Sequence, residues 1–130
     1  MAQDIVVKNQ EALTLVKDRG LADVIKPLSQ EIHLFDTFVA GTTHLKDASP
    51  LEKIKIDDKL KLVRENNKFD DNAILVLNEE GQKLGYIPEK DNIIFARLMD
   101  AGKLLFGKIK AIETKGSFKQ ISIGIYLLDF

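Results

Sequence analysis

With 130 residues, 45% of them hydrophobic and 30% charged, the chain has the make-up of one ordinary globular domain rather than a disordered segment. It contains no cysteine, which excludes disulfides, thiol nucleophiles and cysteine-ligated zinc. Nineteen basic and twenty acidic residues leave a formal charge of −1, so no global field attracts nucleic acid.

Met1 to Gln30 reads as an N-terminal helical extension. Leu21, Val24, Ile25 and Leu28 form one apolar stripe at helical spacing. Gly20 divides the segment into two short helices, and Pro27 ends the second near Lys26. The opening MAQDIVVKNQ lacks the basic end, apolar stretch and cleavage site of a secretory signal. No apolar run approaches the about 20 residues needed to cross a bilayer. A cytoplasmic location away from membranes is expected.

From residue 31 to residue 130 the pattern turns period-two, predicting a mainly β body. EIHLFDTFVAG reads as a strand ending at Gly41, and LEKIKIDDKLKLVRE as two strand segments turning at Asp57 and Asp58. AILVL is nearly continuously apolar, as for a strand buried on both faces. NEEGQ is a hairpin loop leading to KLGYI, which Pro88 closes. Asp91 is placed to cap a helix with the stripe Ile94, Phe95, Leu98 and Met99, ended by Gly102. KLLFGKIKAIE and FKQISIGIYLL then make a long hairpin about Lys115, Gly116 and Ser117. Either a small OB-like barrel or an α+β sandwich satisfies this order of elements.

Lysines are unevenly spread. Lys103, Lys108, Lys110, Lys115 and Lys119 face one acid, Glu113; Lys53, Lys55, Lys59, Lys61 and Arg64 make a second run diluted by Asp57 and Asp58. Lysines on solvated strand faces also protect sheet edges from pairing. No phosphate-binding glycine loop, GxSxG or HExxH occurs, and His33 and His44 stand on different elements. Asp70 and Asp71 lack the alternating ligands of a calcium loop. Neither an enzyme nor a metal or other cofactor is expected.

The most unusual stretch is RENNKFDDN, residues 64 to 72, which crowds polar groups around one ring, Phe69, between two apolar runs. LVRENNKFDDNAILVL, with FVAGTTH before it and GQKLGYIPE after it, resembles the HIRAN domain across roughly Phe35 to Ala111. The resemblance implies an OB-like β-barrel with an inserted helix. It also implies a non-catalytic module that captures the 3′ end of single-stranded DNA, with an aromatic stacked on the terminal base and a carboxylate on the 3′-hydroxyl. DNA repair or replication proteins are the implied further partners. Residue by residue, Phe69 and Asp70 match the aromatic-acid pair. His44 and Tyr86 would complete the stacking surface, with Thr43 and Lys90 beside phosphates. Thr43 stands where the family carries a basic residue, and Glu89 where it carries a lysine. These departures favour the alternative, a protein-protein interaction module on the same scaffold with the DNA-end site lost. A second choice concerns the loop itself: Phe69 either pins it to the core or faces a ligand, and Asp70 either pairs with Arg64, caps backbone amides or binds. Asn67 and Asn72 suit Asx turns that hold the loop, and Tyr86 is either a half-buried strand residue or a contact.

Overall fold

Alternation of apolar and polar residues sets the architecture of residues 30–129, which a computed structural model describes. The readings for the N-terminal helices lie outside the described residues. Six strands form one sheet: β1 (Gln30–Phe38), β2 (Lys59–Arg64), β3 (Ile74–Leu77), β4 (Lys83–Tyr86), β5 (Leu104–Lys115) and β6 (Phe118–Asp129). Their order is β1-β6-β5-β2-β3-β4, and the pairings β2–β3, β2–β5, β3–β4 and β5–β6 are antiparallel. The sheet curls into an OB-like half-barrel. Its two edges meet where Ala40, just past β1, exchanges both backbone hydrogen bonds with Tyr86 of β4, at 2.8 and 2.9 Å. Closure of this kind removes unpaired strand edges.

The concave face holds the core. Ile121, Ile123 and Ile125 of β6, Ile109 of β5, Ile74 and Val76 of β3 and Leu84 of β4 are all fully buried. Each such side chain contributes roughly 1.5–3 kcal/mol of hydrophobic stabilisation. β3 is buried on one face only: Leu75 and Leu77 are half-buried, which corrects the expectation of a strand covered on both sides. A bulge between Ile109 and Ala111 bends the long β5. There the Ile109 carbonyl accepts from the Asp57 amide at 2.8 Å, and its amide donates to the Asp58 carbonyl at 3.0 Å.

Lys53 to Ile56 is not a strand, despite its alternation. Pro50 and Leu51 sit in a 3-10 turn (Ser49–Glu52), and the Lys55 amide donates to the Asp58 carboxylate at 2.8 Å instead of to a ladder. The turn at Asp57 is as expected, with φ at 74°. The NEEGQ hairpin also forms as read: Asn78 takes two backbone bonds and two side-chain bonds across to Gln82 and Gly81. β1 ends at Phe38, three residues before Gly41, because Val39 and Ala40 turn to other partners: the Val39 amide donates to the Ile121 carbonyl, and Ala40 pairs with Tyr86.

The single α-helix among the described residues, α1 (Asn92–Asp100), packs on the sheet through Phe95 and Ala96, with Leu98 and Met99 partly buried. Two sequence expectations are corrected here. Asp91 occupies the N-cap position but makes no side-chain cap; its carboxylate accepts from the Thr37 hydroxyl at 2.8 Å. Ile94 is 65% exposed, because the helix turns Asn92 inward and thereby positions 95 and 96 with it. At the C-terminus, Lys103 donates to Leu98 and Gly102 to Met99, both at 3.0 Å, the bond pair of a glycine-terminated helix. Gly102 has φ at 91°, a conformation that strains any residue with a side chain. Gly102→Ala is expected to lower the unfolding free energy by about 1 kcal/mol, read as a reduced urea midpoint. No helix among the described residues is long and apolar enough to cross a membrane.

Candidate nucleic-acid interface

The polar loop between β2 and β3 folds on itself. The Asn67 carboxamide oxygen accepts from the Phe69 amide at 2.8 Å, an Asx turn, and the Asp70 amide donates to the Asn67 carbonyl at 3.3 Å. A second turn of the same kind belongs to Asp70, whose Oδ1 accepts from the Asn72 amide at 2.9 Å. Asn72 contributes its backbone rather than its side chain, a correction to the expected Asx role. Arg64 anchors the return of the loop. Its guanidinium donates to the carbonyls of Ala73 (2.6 Å) and Asp71 (2.8 Å) and to both carboxylate oxygens of Asp100 (2.9 and 3.3 Å). Arg64 therefore pairs with Asp100, not with Asp70. The hydrogen bond from Arg64 holds the Asp100 carboxyl below its ordinary range.

At the tip of this tied-down loop, Phe69 is 84% exposed. The reading in which it pins the loop to the core is thereby overturned. The Lys68 ammonium lies 5.2 Å from the centre of its ring. The Asp70 Oδ2 atom accepts from the Asn92 carboxamide at 2.8 Å, and Asn92 is 1% exposed. Each Asp70 oxygen thus accepts one protein hydrogen bond. An ionised carboxylate offers about four acceptor sites, so capacity remains.

Tyr86 is half-buried, and its hydroxyl donates to Glu65 Oε1 at 2.8 Å. The same oxygen accepts from the Asn67 carboxamide at 3.0 Å, which ties Tyr86 to the loop. Lys83 donates to the Tyr86 hydroxyl at 3.2 Å and sits 4.5 Å from the ring centre. His44 is exposed at the end of a short 3-10 turn (Thr42–His44) and shares with Lys83 an open cleft of ≈ 470 Å³. Thr43 lines a different groove, with Phe38 and Phe118, and the Lys90 ammonium is 5.6 Å from the Phe38 ring centre.

The six candidate residues therefore fall into three neighbouring groups: Phe69 with Asp70, Tyr86 with His44 by way of Lys83, and Thr43 with Lys90 by way of Phe38. Hydrogen bonds link the first two groups, and the third lies near them along the chain. Glu65 joins Asn67 of the loop to Tyr86, and Asp70 reaches α1 at Asn92, two residues after Lys90. Sequence reasoning missed Glu65, Lys83 and Asn92 as members of this network, and offered Arg64 a partner, Asp70, other than the Asp100 it takes. Glu65 and Arg64 carried a signal, being charged residues next to the loop. Asn92 had none, since its partner lies on a distant segment.

The HIRAN domain family profile matches residues 32–127. No curated protein matches the chain. Among solved structures, a protein from Lactobacillus plantarum is 28% identical with a TM-score of 0.73, over 78% of this chain and 99% of that one. The HIRAN domain of human HLTF is 17% identical with a TM-score of 0.60, over 76% of this chain and 79% of that one, a likeness of fold. The family match spans most of the chain and includes the loop that carries Phe69 and Asp70, so this protein belongs to the HIRAN domain family.

Proposed function

We propose that this domain binds the 3′ end of single-stranded DNA without catalysis, stacking the terminal base on Phe69 and receiving the 3′-hydroxyl on Asp70. The observation that carries the reading is the Phe69 ring, 84% exposed on a loop that is otherwise polar and fastened on both sides by hydrogen bonds. A ring presented by a fastened loop is a sequence-tolerant platform for a base, contributing about 1–3 kcal/mol. A carboxylate beside it accepts from a free hydroxyl and repels a terminal phosphate. Lys68 near the ring, and Lys90 and Thr43 beside Phe38, supply phosphate contacts; His44 and Tyr86 extend the stacking surface. Membership of a family of DNA-binding modules supports the same reading, and a replication or repair protein is the partner it suggests.

The test is a titration of fluorescent oligonucleotides ending in 3′-hydroxyl, 3′-phosphate or a hairpin-blocked end, at low salt. The 3′-hydroxyl end should bind tightest. Asp70→Asn retains the shape and the bond to the Asn72 amide, and a flip of the Asn92 amide preserves that contact too. It should therefore abolish the preference between ends while the fold persists. Phe69→Ala should weaken binding to every single-stranded end by about tenfold, within the range for loss of one stacked base. It should leave the urea midpoint unmoved, because so exposed a ring contributes little to the core. Equal wild-type affinity for the three ends overturns the proposal.

One observation favours a protein-interaction role instead: Ile93 and Ile94, beside Asn92 on α1, are 45% and 65% exposed. Under that reading the three oligonucleotides bind weakly and alike, and Ile94→Lys disrupts a protein complex.

A further inference from the structure

A second aromatic and basic surface lies on the convex face of the sheet, on residues the proposed end site does not use. The register sets Phe106 opposite Tyr126 and Lys108 opposite Gly124, while Lys61 stands opposite Phe106 and Lys59 opposite Lys108. These positions alternate with the buried Leu60, Leu105, Ile109, Ile123 and Ile125, so they share the outer face. The Phe106 and Tyr126 rings stack with centres 5.4 Å apart and planes 18° apart, and His33 meets Tyr126 edge-on at 5.2 Å.

Lysines surround the rings. Lys59 lies 5.5 Å from the Phe106 centre, and Lys108 and Lys110 lie 4.9 and 5.6 Å from that of Tyr126. A side chain at Gly124 would collide with this arrangement, its Cβ 2.8 Å from Lys110 Cε and 2.9 Å from Tyr126 Cε1. Two acids share the patch. Glu31 accepts from Lys108 at 2.6 Å and Lys59 at 3.2 Å; Asp36 is 2.7 Å from His33 and 3.7 Å from Lys110. Four lysines against two carboxylates leave a local excess of positive charge on a chain whose formal total is −1.

Cross-strand packing explains the ring pair. It does not explain why four lysines converge there with half as many acids. The Lys59 and Lys110 side chains remain 42% and 43% exposed, and Lys61 is exposed at the end of the aromatic row. Ammonium groups among partly exposed rings suit a ligand with both phosphates and flat faces.

We propose that this convex face is a second binding surface for single-stranded nucleic acid, holding backbone phosphates at Lys59, Lys61, Lys108 and Lys110 and bases against Tyr126 and Phe106. It needs no strand end and so acts on internal nucleotides. An acidic polypeptide would use the lysines and leave the rings idle, which makes it the weaker fit.

The chain has no tryptophan and two tyrosines. Tyr86→Phe therefore leaves Tyr126 as the sole source of tyrosine emission. Adding a covalently closed oligothymidylate circle, which has no 3′ end, should quench that emission saturably. In the otherwise unaltered chain, Lys61→Gln with Lys108→Gln should weaken circle binding several-fold. The salt slope should flatten by about 1.4, from about 0.7 for each lost phosphate contact on a single strand. The same pair of changes should leave the 3′-hydroxyl preference of linear oligonucleotides in place. Binding of the circle with no change in Tyr126 emission, or with no response to the lysine changes, overturns this inference, as does tighter binding of polyglutamate than of the circle. If the circle binds as expected while linear ends are not distinguished, the end-capture reading falls and this surface stands.

Discussion

Gly85→Ala should lower the unfolding free energy by about 3 kcal/mol, toward the upper end of the range for overpacked sites. A Cβ at Gly85 would collide with the Ala40 carbonyl oxygen and lie 2.6 Å from Val39 Cγ1. Neither neighbour can yield cheaply. Val39 is 4% exposed, and the Ala40 carbonyl accepts from the Tyr86 amide in the pair of bonds that joins the sheet's edges. Relief of the clash means pulling β4 away from Ala40, which breaks backbone bonds worth about 1 kcal/mol each. Urea denaturation would show a lower midpoint at unchanged slope if the half-barrel still forms. An unchanged midpoint would mean that the two edges part without penalty.

The second large effect belongs to Arg64→Ala, expected to cost about 2 kcal/mol, from charge-assisted hydrogen bonds partly replaced by water. The guanidinium joins the loop's return at Asp71 and Ala73 to the end of α1 at Asp100. Its side chain is 24% exposed, so solvent screens the ion pair only in part. The Ala73 carbonyl keeps one partner after the change, the Glu65 amide at 3.0 Å, which limits the loss. Hydrogen exchange should accelerate at the Phe69 and Asn72 amides, and end binding should weaken as the platform loosens. Arg64→Lys should recover little, because an ammonium cannot span four acceptor atoms on three residues as the planar fork does. The pH response has a definite sign. The Asp100 carboxyl is lowered by the Arg64 hydrogen bond, so its contribution is complete above the ordinary carboxylate range. It is lost as pH falls through the lowered value, and that acid-range loss should vanish in Arg64→Ala.

Local chemistry made much of this fold legible. The Asn78 and Gly81 hairpin, the turn at Gly116 and Ser117 and the helix ended by Gly102 each rest on residues adjacent in the chain. Where the reading failed, a distant partner had decided the outcome. Lys53 to Ile56 alternates like a strand, yet its neighbours Asp57 and Asp58 spend their backbone on the bulge at Ile109. Asp91 has the chemistry of a cap, but Thr37 takes its carboxylate. The interface divides in the same way. Phe69 and Asp70 stood out by sequence, while the supports beneath them, Arg64 on Asp100 and Asn92 on Asp70, join segments that sequence spacing does not bring together.

The meeting of Ala40 with Tyr86 also bears on how the molecule assembles. It joins points far apart in the chain, so its formation costs more chain entropy than the neighbouring β5–β6 ribbon, whose turn is two residues long. The ribbon is expected to form early and this juncture late, after the rate-limiting barrier. Gly85→Ala should then hasten unfolding while the rate of folding stays nearly constant.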